Sequence, residues 1–209
     1  MISIDGNNLT LDEVVRVARG REPVEISATG RQQLAASRAI VENLLDSTTP
    51  VYGISTGFGN LSQIWISPEE REALQRNLIL SHAAGVGDYL PEDVVRAAML
   101  MRANSLVKGY SGIRPATVEM LLELLNRGVY PAVPSKGSVG ASGDLSPLSH
   151  IALVLMGEGK AFVAGKLVTG AAALAAMGLL PVAFAAKEGL ALINGTQIMT
   201  AVGALVVHD

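Results

Sequence analysis

Five helices are written into this chain by their own start and stop residues, and that punctuation restricts the fold to a set of packed α-helices. Thr10 and Glu13 form a capping-box pattern ahead of LDEVVRVARG, a short amphipathic run that ends at Gly20. Residues 28–46 predict a second helix with Leu34, Ala35, Ile40, Val41, Leu44 and Leu45 on its apolar side. Ser67, Pro68, Glu69 and Glu70 supply a cap, a proline at the first helical position and a reciprocal glutamate for a third helix, which runs into SHAAG near residue 82. Pro91, Glu92 and Asp93 open a fourth that continues through LVKG, and Pro115 opens a fifth that stops at Gly128. AFVAGKLV, near residues 161–168, reads as a small hairpin. The expected class is mainly α with minor strands, and the sequence shows no internal repeat.

Composition fits that picture. Hydrophobic residues make up 49% of the 209 positions, charged residues 17% and aromatics 4%, so the core must be built from Ala, Val, Leu and Ile. The chain is long enough to bury such a core. A net charge of -3 with no run of like charges gives no basic stripe for nucleic acid, so no nucleic-acid partner is expected. With no cysteine there is no disulfide framework and no thiolate metal site. The N-terminus MISIDGNNLT lacks a basic region followed by an apolar stretch, which makes a cytoplasmic protein the expectation. Residues 167–186, LVTGAAALAAMGLLPVAFAA, run without a charge for about the length of a membrane span. Their alanines and glycines, Pro181 and the lack of Trp or Tyr at either edge favour a pair of closely packed core helices broken near Gly178 and Pro181, with no membrane partner.

Three glycine-rich pieces lie between the helices: VYGISTGFGN (51–60), GSVGASGDLSPLSH (137–150) and LINGTQ (192–197). Loops on a rigid scaffold are where chemistry concentrates, because their backbone can take unusual conformations. Neither SVGASG nor GEGK has the glycine spacing of a phosphate-binding loop. Ser142 is followed by Gly143 and Asp144, which lacks the Gly-x-Ser-x-Gly of a hydrolase elbow. Ser146 and His150, four apart, could meet on a helix face, but a triad gathers from separated parts of a chain. The histidines His82, His150 and His208 form no metal-binding pattern, so no metal is expected.

Ala141-Ser142-Gly143 offers a different chemistry. If the chain bends so that the Gly143 nitrogen meets the Ala141 carbonyl carbon, a five-membered ring closes with loss of water. A residue without a side chain permits that approach. Loss of a second water from Ser142 leaves a methylidene group conjugated with the ring. The product is an electrophile that no ordinary side chain supplies, suited to accepting an amine or an electron-rich ring so that a poor leaving group can depart.

GSVGASGDLSPLSHIAL, together with YGISTGFG, NLILSHAAGVG, RANSLVKGYSGIRP and LALINGTQ, resembles the aromatic amino acid lyase family, and most closely its histidine-acting branch. The resemblance spans residues 52–197. It implies the helical N-terminal domain of that fold, a homotetramer, and removal of ammonia from an aromatic amino acid without an added cofactor. The electrophile would be a self-derived 4-methylidene-imidazol-5-one formed from Ala141, Ser142 and Gly143. Tyr52 matches the base that takes the substrate's β-proton, Asn194 an asparagine beside the ring and the substrate, and His82 a substrate-contacting histidine. Ser81 followed by His82 resembles the histidine type, which implies L-histidine as substrate and urocanate and ammonium as products. A polar pocket discriminates for imidazole, because an apolar ring would leave its hydrogen-bonding groups unmatched. Tyr52 would need its anion stabilised to act as a base at neutral pH. Ser55 and Ser146 depart from residues common in the family.

Local readings of neighbouring residues are structural. Asp144 is expected to cap the helix beginning at Leu145, and Arg102 and Arg114 to be members of ion pairs. The resemblance implies that family members continue into a long helical bundle, which the 209 residues are expected to lack. Residues 1–209 are expected to form one electrophile-bearing domain cut within a helix, with little activity alone. The alternatives are a tyrosine or phenylalanine ammonia-lyase or an aminomutase of the same family, or an inert helical fragment whose apolar surface serves self-association.

Overall fold

The computed structural model describes residues 1–45, 47 and 50–209. Strand β1 (Ile2–Ile4) and strand β2 (Val24–Ile26) pair in parallel through helix α1 (Leu11–Ala18), whose Thr10–Glu13 capping box forms as the sequence predicts. Helix α2 (Ala28–Leu45) follows; the last residue of the expected span, 46, lies outside the described residues. A 3-10 turn at Pro68–Glu70 leads into α3 (Arg71–His82), with Glu70 Oε2 accepting from the Ser67 amide at 3.4 Å. Then come β3 (Val86–Tyr89), α4 (Glu92–Val107), α5 (Pro115–Asn126), β4 (Tyr130–Pro131), β5 (Pro134–Lys136) and α6 (Leu145–Leu155). The expected hairpin is β6 (Lys160–Val163) and β7 (Lys166–Thr169), turning on Ala164 and Gly165, both at positive φ. Helices α7 (Gly170–Ala176), α8 (Glu188–Ile193) and α9 (Gln197–His208) complete the order. β3 pairs with β5, and β4 joins the hairpin as a third strand.

Helix α4 is the axis. Its apolar residues point in several directions, including Val95, Met99, Leu100, Ala103 and Leu106, and it packs against α1, α2, α5 and α9. A helix apolar on several sides belongs inside a protein. Each such Val, Met or Leu side chain, fully withdrawn from water, contributes about 1.5–3 kcal/mol. Helix α6, aliphatic without interruption from Ile151 to Leu155, lies between α3, α7 and α8 and joins the same core.

Two expectations fail here. On α2 the buried side is Leu34, Ser37, Arg38 and Val41, while Ile40 is 62% exposed. The polar pair faces inward because it has distant acceptors and donors: Arg38 Nη1 donates to Gly112 O and Ala186 O, and Ser37 Oγ accepts from the Gly112 amide. Residues 167–186 are not two helices. The segment is a strand and one short helix that ends at Ala176, with Gly178 at φ +66° and the Leu179 amide reaching back to Leu174 O. Beyond it the backbone is held by outside partners, with Val182 N–H on Leu155 O and the Arg114 guanidinium on Ala183 O. Among the described residues, the segment long and apolar enough to cross a membrane is instead Glu188–His208, and it is interrupted between α8 and α9.

Candidate active site

A cleft of about 570 Å³ opens between the loop after residue 50, α3, and the adjoining ends of α6 and α8. Tyr52, Ser81, His82 and Asn194 all line it, beside Phe58, Leu74, Asn77, Leu78 and Leu145. Four side chains singled out in the sequence, from three separate segments, therefore meet at one cavity.

Helices α3 and α8 form its floor because they approach closely. Gln75, buried on α3, accepts from the Gly189 amide through Oε1 at 3.0 Å, and a Cβ at Gly189 would sit 3.0 Å from the Gln75 carbonyl oxygen. A residue larger than glycine would wedge the two helices apart. At the C-terminal end of α3, His82 Nδ1 lies 2.8 Å from Leu78 O and 3.1 Å from Ser81 Oγ, while the Ser81 hydroxyl also donates to Leu78 O at 2.9 Å. A carbonyl only accepts, so the geometry assigns the neutral ring's proton to Nδ1 and leaves Nε2 as an acceptor. At the C-terminal end of α8, Asn194 is the cap: its amide closes on Leu190 O, and its backbone then turns out of the helix at φ -83°, ψ 94°.

Tyr52 sits on a loop pinned by buried Ser55 and Thr56. Ser55 Oγ accepts from the Val51 amide at 2.9 Å, Thr56 Oγ1 from the Gly53 amide at 3.3 Å, and Thr56 bridges to Trp65. The phenol is 53% exposed, packs edge-on against Phe58, and has the Gly59 N–H 3.5 Å from its hydroxyl.

Ala141, Ser142 and Gly143 do not line the cleft themselves; the wall reaches their side of the fold through Leu145, two residues beyond Gly143. They form a turn bounded by Gly140 at φ +86° and Gly143 at φ +74°. Ser142 Oγ accepts a long bond from the Asp144 amide at 3.4 Å. A Cβ on Gly143 would collide with Ser138 Oγ. The left-handed backbone at Gly143 favours glycine, and the absence of a side chain there fits a backbone condensation at this point.

Asp144 behaves differently from expectation. It stands at the N-cap of α6 but makes no side-chain cap there. Its buried carboxylate accepts instead from the Ile198 and Met199 amides, at 2.8 and 3.2 Å, and so caps α9. The local site loses because α9 lacks a side-chain cap of its own and its first amides must be satisfied. Burial raises the Asp144 pKa above its ordinary value, and the two amides partly offset this. Arg114 is the expected ion-pair member, meeting Glu188 through Nε at 2.9 Å and Nη2 at 2.5 Å, with Glu188 fully buried. Arg102 is not. Among the described residues it forms no ion pair and donates instead to Gln197 Oε1 and to the carbonyl of Ala191. Ser146 and His150 do not pair: Ser146 Oγ is buried without a hydrogen-bond partner among the described residues, and His150 Nε2 accepts from the Gly85 amide at 3.1 Å. Asn77, unnoticed in the sequence, reaches the cleft one helical turn before Ser81, a spacing that could have found it.

The sequence matches the family model described as "Aromatic amino acid lyase" over residues 9–209. It is 55% identical over 208 residues to a histidine ammonia-lyase of Alkaliphilus oremlandii, covering 100% of this chain and 41% of that protein. The fold is similar to a tyrosine aminomutase from Streptomyces globisporus, with a TM-score of 0.92 and 42% identity over 99% of this chain and 39% of the other. It is also similar to a histidine ammonia-lyase from Trypanosoma cruzi, at 0.91 and 40% identity over 99% of this chain and 40% of the other. The chain thus spans about two fifths of the length of the relatives it matches.

Proposed function

The chain belongs to the aromatic amino acid lyase family, and we propose that it carries the electrophile and part of the substrate pocket of an ammonia-lyase that converts L-histidine to urocanate and ammonium. The observation that carries this reading is the convergence of Tyr52, Ser81, His82 and Asn194 on one cleft whose wall continues toward the Ala141-Ser142-Gly143 turn. The 4-methylidene-imidazol-5-one derived from that turn would supply an electrophilic carbon that activates the amino group for departure. Tyr52 is the base that takes the β-proton, with the Gly59 amide 3.5 Å from its hydroxyl. His82, its Nδ1 proton fixed on Leu78 O, presents Nε2 as acceptor to the N–H of a substrate imidazole, and Ser81 adds a second polar contact. Asn194 orients the substrate beside the turn. The protein works as a cytoplasmic homotetramer, as one electrophile-bearing domain of a longer assembly, and this stretch alone has little activity.

The similarity to a tyrosine aminomutase favours a second reading, in which the same cleft takes a phenol. It differs in one respect: a phenol offers a single hydroxyl where an imidazole offers two ring nitrogens, so one of Ser81 and His82 would lose its partner, at a cost of about 1–3 kcal/mol.

Intact mass tests the electrophile directly. Ring closure and dehydration remove two waters, so the chain should weigh roughly 36 Da less than its encoded mass, and Ser142→Ala should abolish the second loss. An unmodified wild-type mass sinks the chemistry and favours the inert reading. For the protein at the length of its relatives, a substrate panel should give urocanate absorbance from histidine and no product from tyrosine or phenylalanine.

A further inference from the structure

We infer that Arg102 is a positioning residue for Asn194: its guanidinium, buried without a carboxylate, takes over a hydrogen bond that α8 surrenders at its break and so keeps Asn194 out of a continuous helix. The inference rests on the reading of Asn194 as a site residue, and nothing in that reading requires Arg102.

The segment Glu188–His208 is apolar and contains no proline. Local propensity would let one helix run through it, with Asn194 and Gly195 as weak but tolerated positions. It is broken nevertheless, and the groups released by the break are met from outside. In a continuous helix Ala191 O would accept from the Gly195 amide; here Arg102, from α4, donates to it. The Ile198 and Met199 amides would bond to the Asn194 and Gly195 carbonyls; here the Asp144 carboxylate takes both. A cation thus sits at the C-terminal end of α8 and an anion at the N-terminal end of α9, each at the pole of the helix dipole that favours it.

Arg102 is 6% exposed and its Nε has no partner. Burial pulls its pKa down to about 10, so it still carries its charge at neutral pH. A buried charge without a counter-ion is costly unless its geometry is used. Its second bond, to Gln197 Oε1 at 2.9 Å, spans the break to the first residue of α9. Gly195 leaves room for this arrangement, since a Cβ there would collide with both Arg102 Nη1 and Gln197 Oε1. Arg102 is absent from the cleft lining and acts through the backbone that presents Asn194.

The test is Arg102→Met, with Arg102→Lys as a charge-retaining variant that reaches one acceptor in place of two. NMR of the 209-residue chain should show the Asn194 and Gly195 Cα shifts moving toward helical values in Arg102→Met, with slowed exchange of the Gly195 amide, and a smaller change in Arg102→Lys. Gly195→Ala should lower the urea midpoint in the wild type and lower it less in the Arg102→Met background, because one of the two collisions, that with the guanidinium, is gone and Gln197, no longer held by Arg102, can turn away. In the protein at the length of its relatives, Arg102→Met should reduce kcat on the order of tenfold or more with KM little changed. Unmoved Asn194 shifts in a folded Arg102→Met chain, or additive effects of the two substitutions, overturn the inference. The NMR and coupling results are independent of ring formation, so an unmodified mass would refute the proposed lyase chemistry without touching them.

Discussion

His150 shows how a single residue can tie the candidate site to pH without taking part in it. Its Nε2 accepts from the Gly85 amide, three residues beyond His82, and burial lowers its pKa below the ordinary 6.5. Protonation would turn that acceptor into a donor facing a donor. A depressed folded pKa contributes stability that is present above 6.5 and is lost as pH falls through the folded value. Urea midpoints should therefore drop between neutral and mildly acidic pH, and His150→Phe, which does not titrate, should flatten that slope; an unchanged slope would exclude His150 as its source. At this scale the sequence was read well where a residue's role is local. Thr10 and Glu13 cap as expected because both partners lie within one turn. Tyr52, Ser81, His82 and Asn194 were found through resemblance and do converge, yet no spacing rule links residues from three segments. Asp144 was misread because its nearest amides belong to α6 while its bonded amides belong to α9.

Helix starts and the ends of α3, α4 and α5, at His82, Val107 and Asn126, were legible, whereas the breaks after residue 176 were not. A start is closed by side chains within the next turn, whereas several ends here are closed by arginines from other helices. Arg96, fully buried, donates to Val17 O and Ala18 O at the end of α1 and to Leu125 O near the end of α5. Arg114 reaches Ala183 O beyond α7, where two helices had been expected. The pair β1–β2 was missed because three-residue strands such as ISI and VEI are too short to carry a period. Helix α8 illustrates the energetic weight of such remote ties. Glu188 accepts from the Arg114 amide and guanidinium, from Thr117 Oγ1 at 2.7 Å and from the Ala185 amide at 2.8 Å. Glu188→Gln places an NH2 among donors and leaves Arg114 unpaired, so unfolding free energy should fall by about 3–5 kcal/mol. A loss under 1 kcal/mol in denaturant titration would mean that water readily replaces the carboxylate.

Across the whole molecule, α9 packs one side against α4 and α1 and turns another outward, where Met199, Val202, Val206 and Val207 are 61, 40, 68 and 77% exposed. Their spacing puts them on one stripe, and a contiguous apolar surface of this kind favours association. Sedimentation of this chain should show concentration-dependent self-association, and Val202→Glu with Val206→Glu should return it to monomer with stability changed by about 0.5 kcal/mol or less at each exposed position. A wild type that stays monomeric at all concentrations counts against the stripe as an association surface. The carboxylate of Asp144 has a further consequence, set by chain order. Its two amide partners lie 54 and 55 residues downstream. On the ribosome, the carboxylate beside the turn at residues 140–143 has neither amide partner until Met199 has emerged, after the hairpin and α7 have already been made.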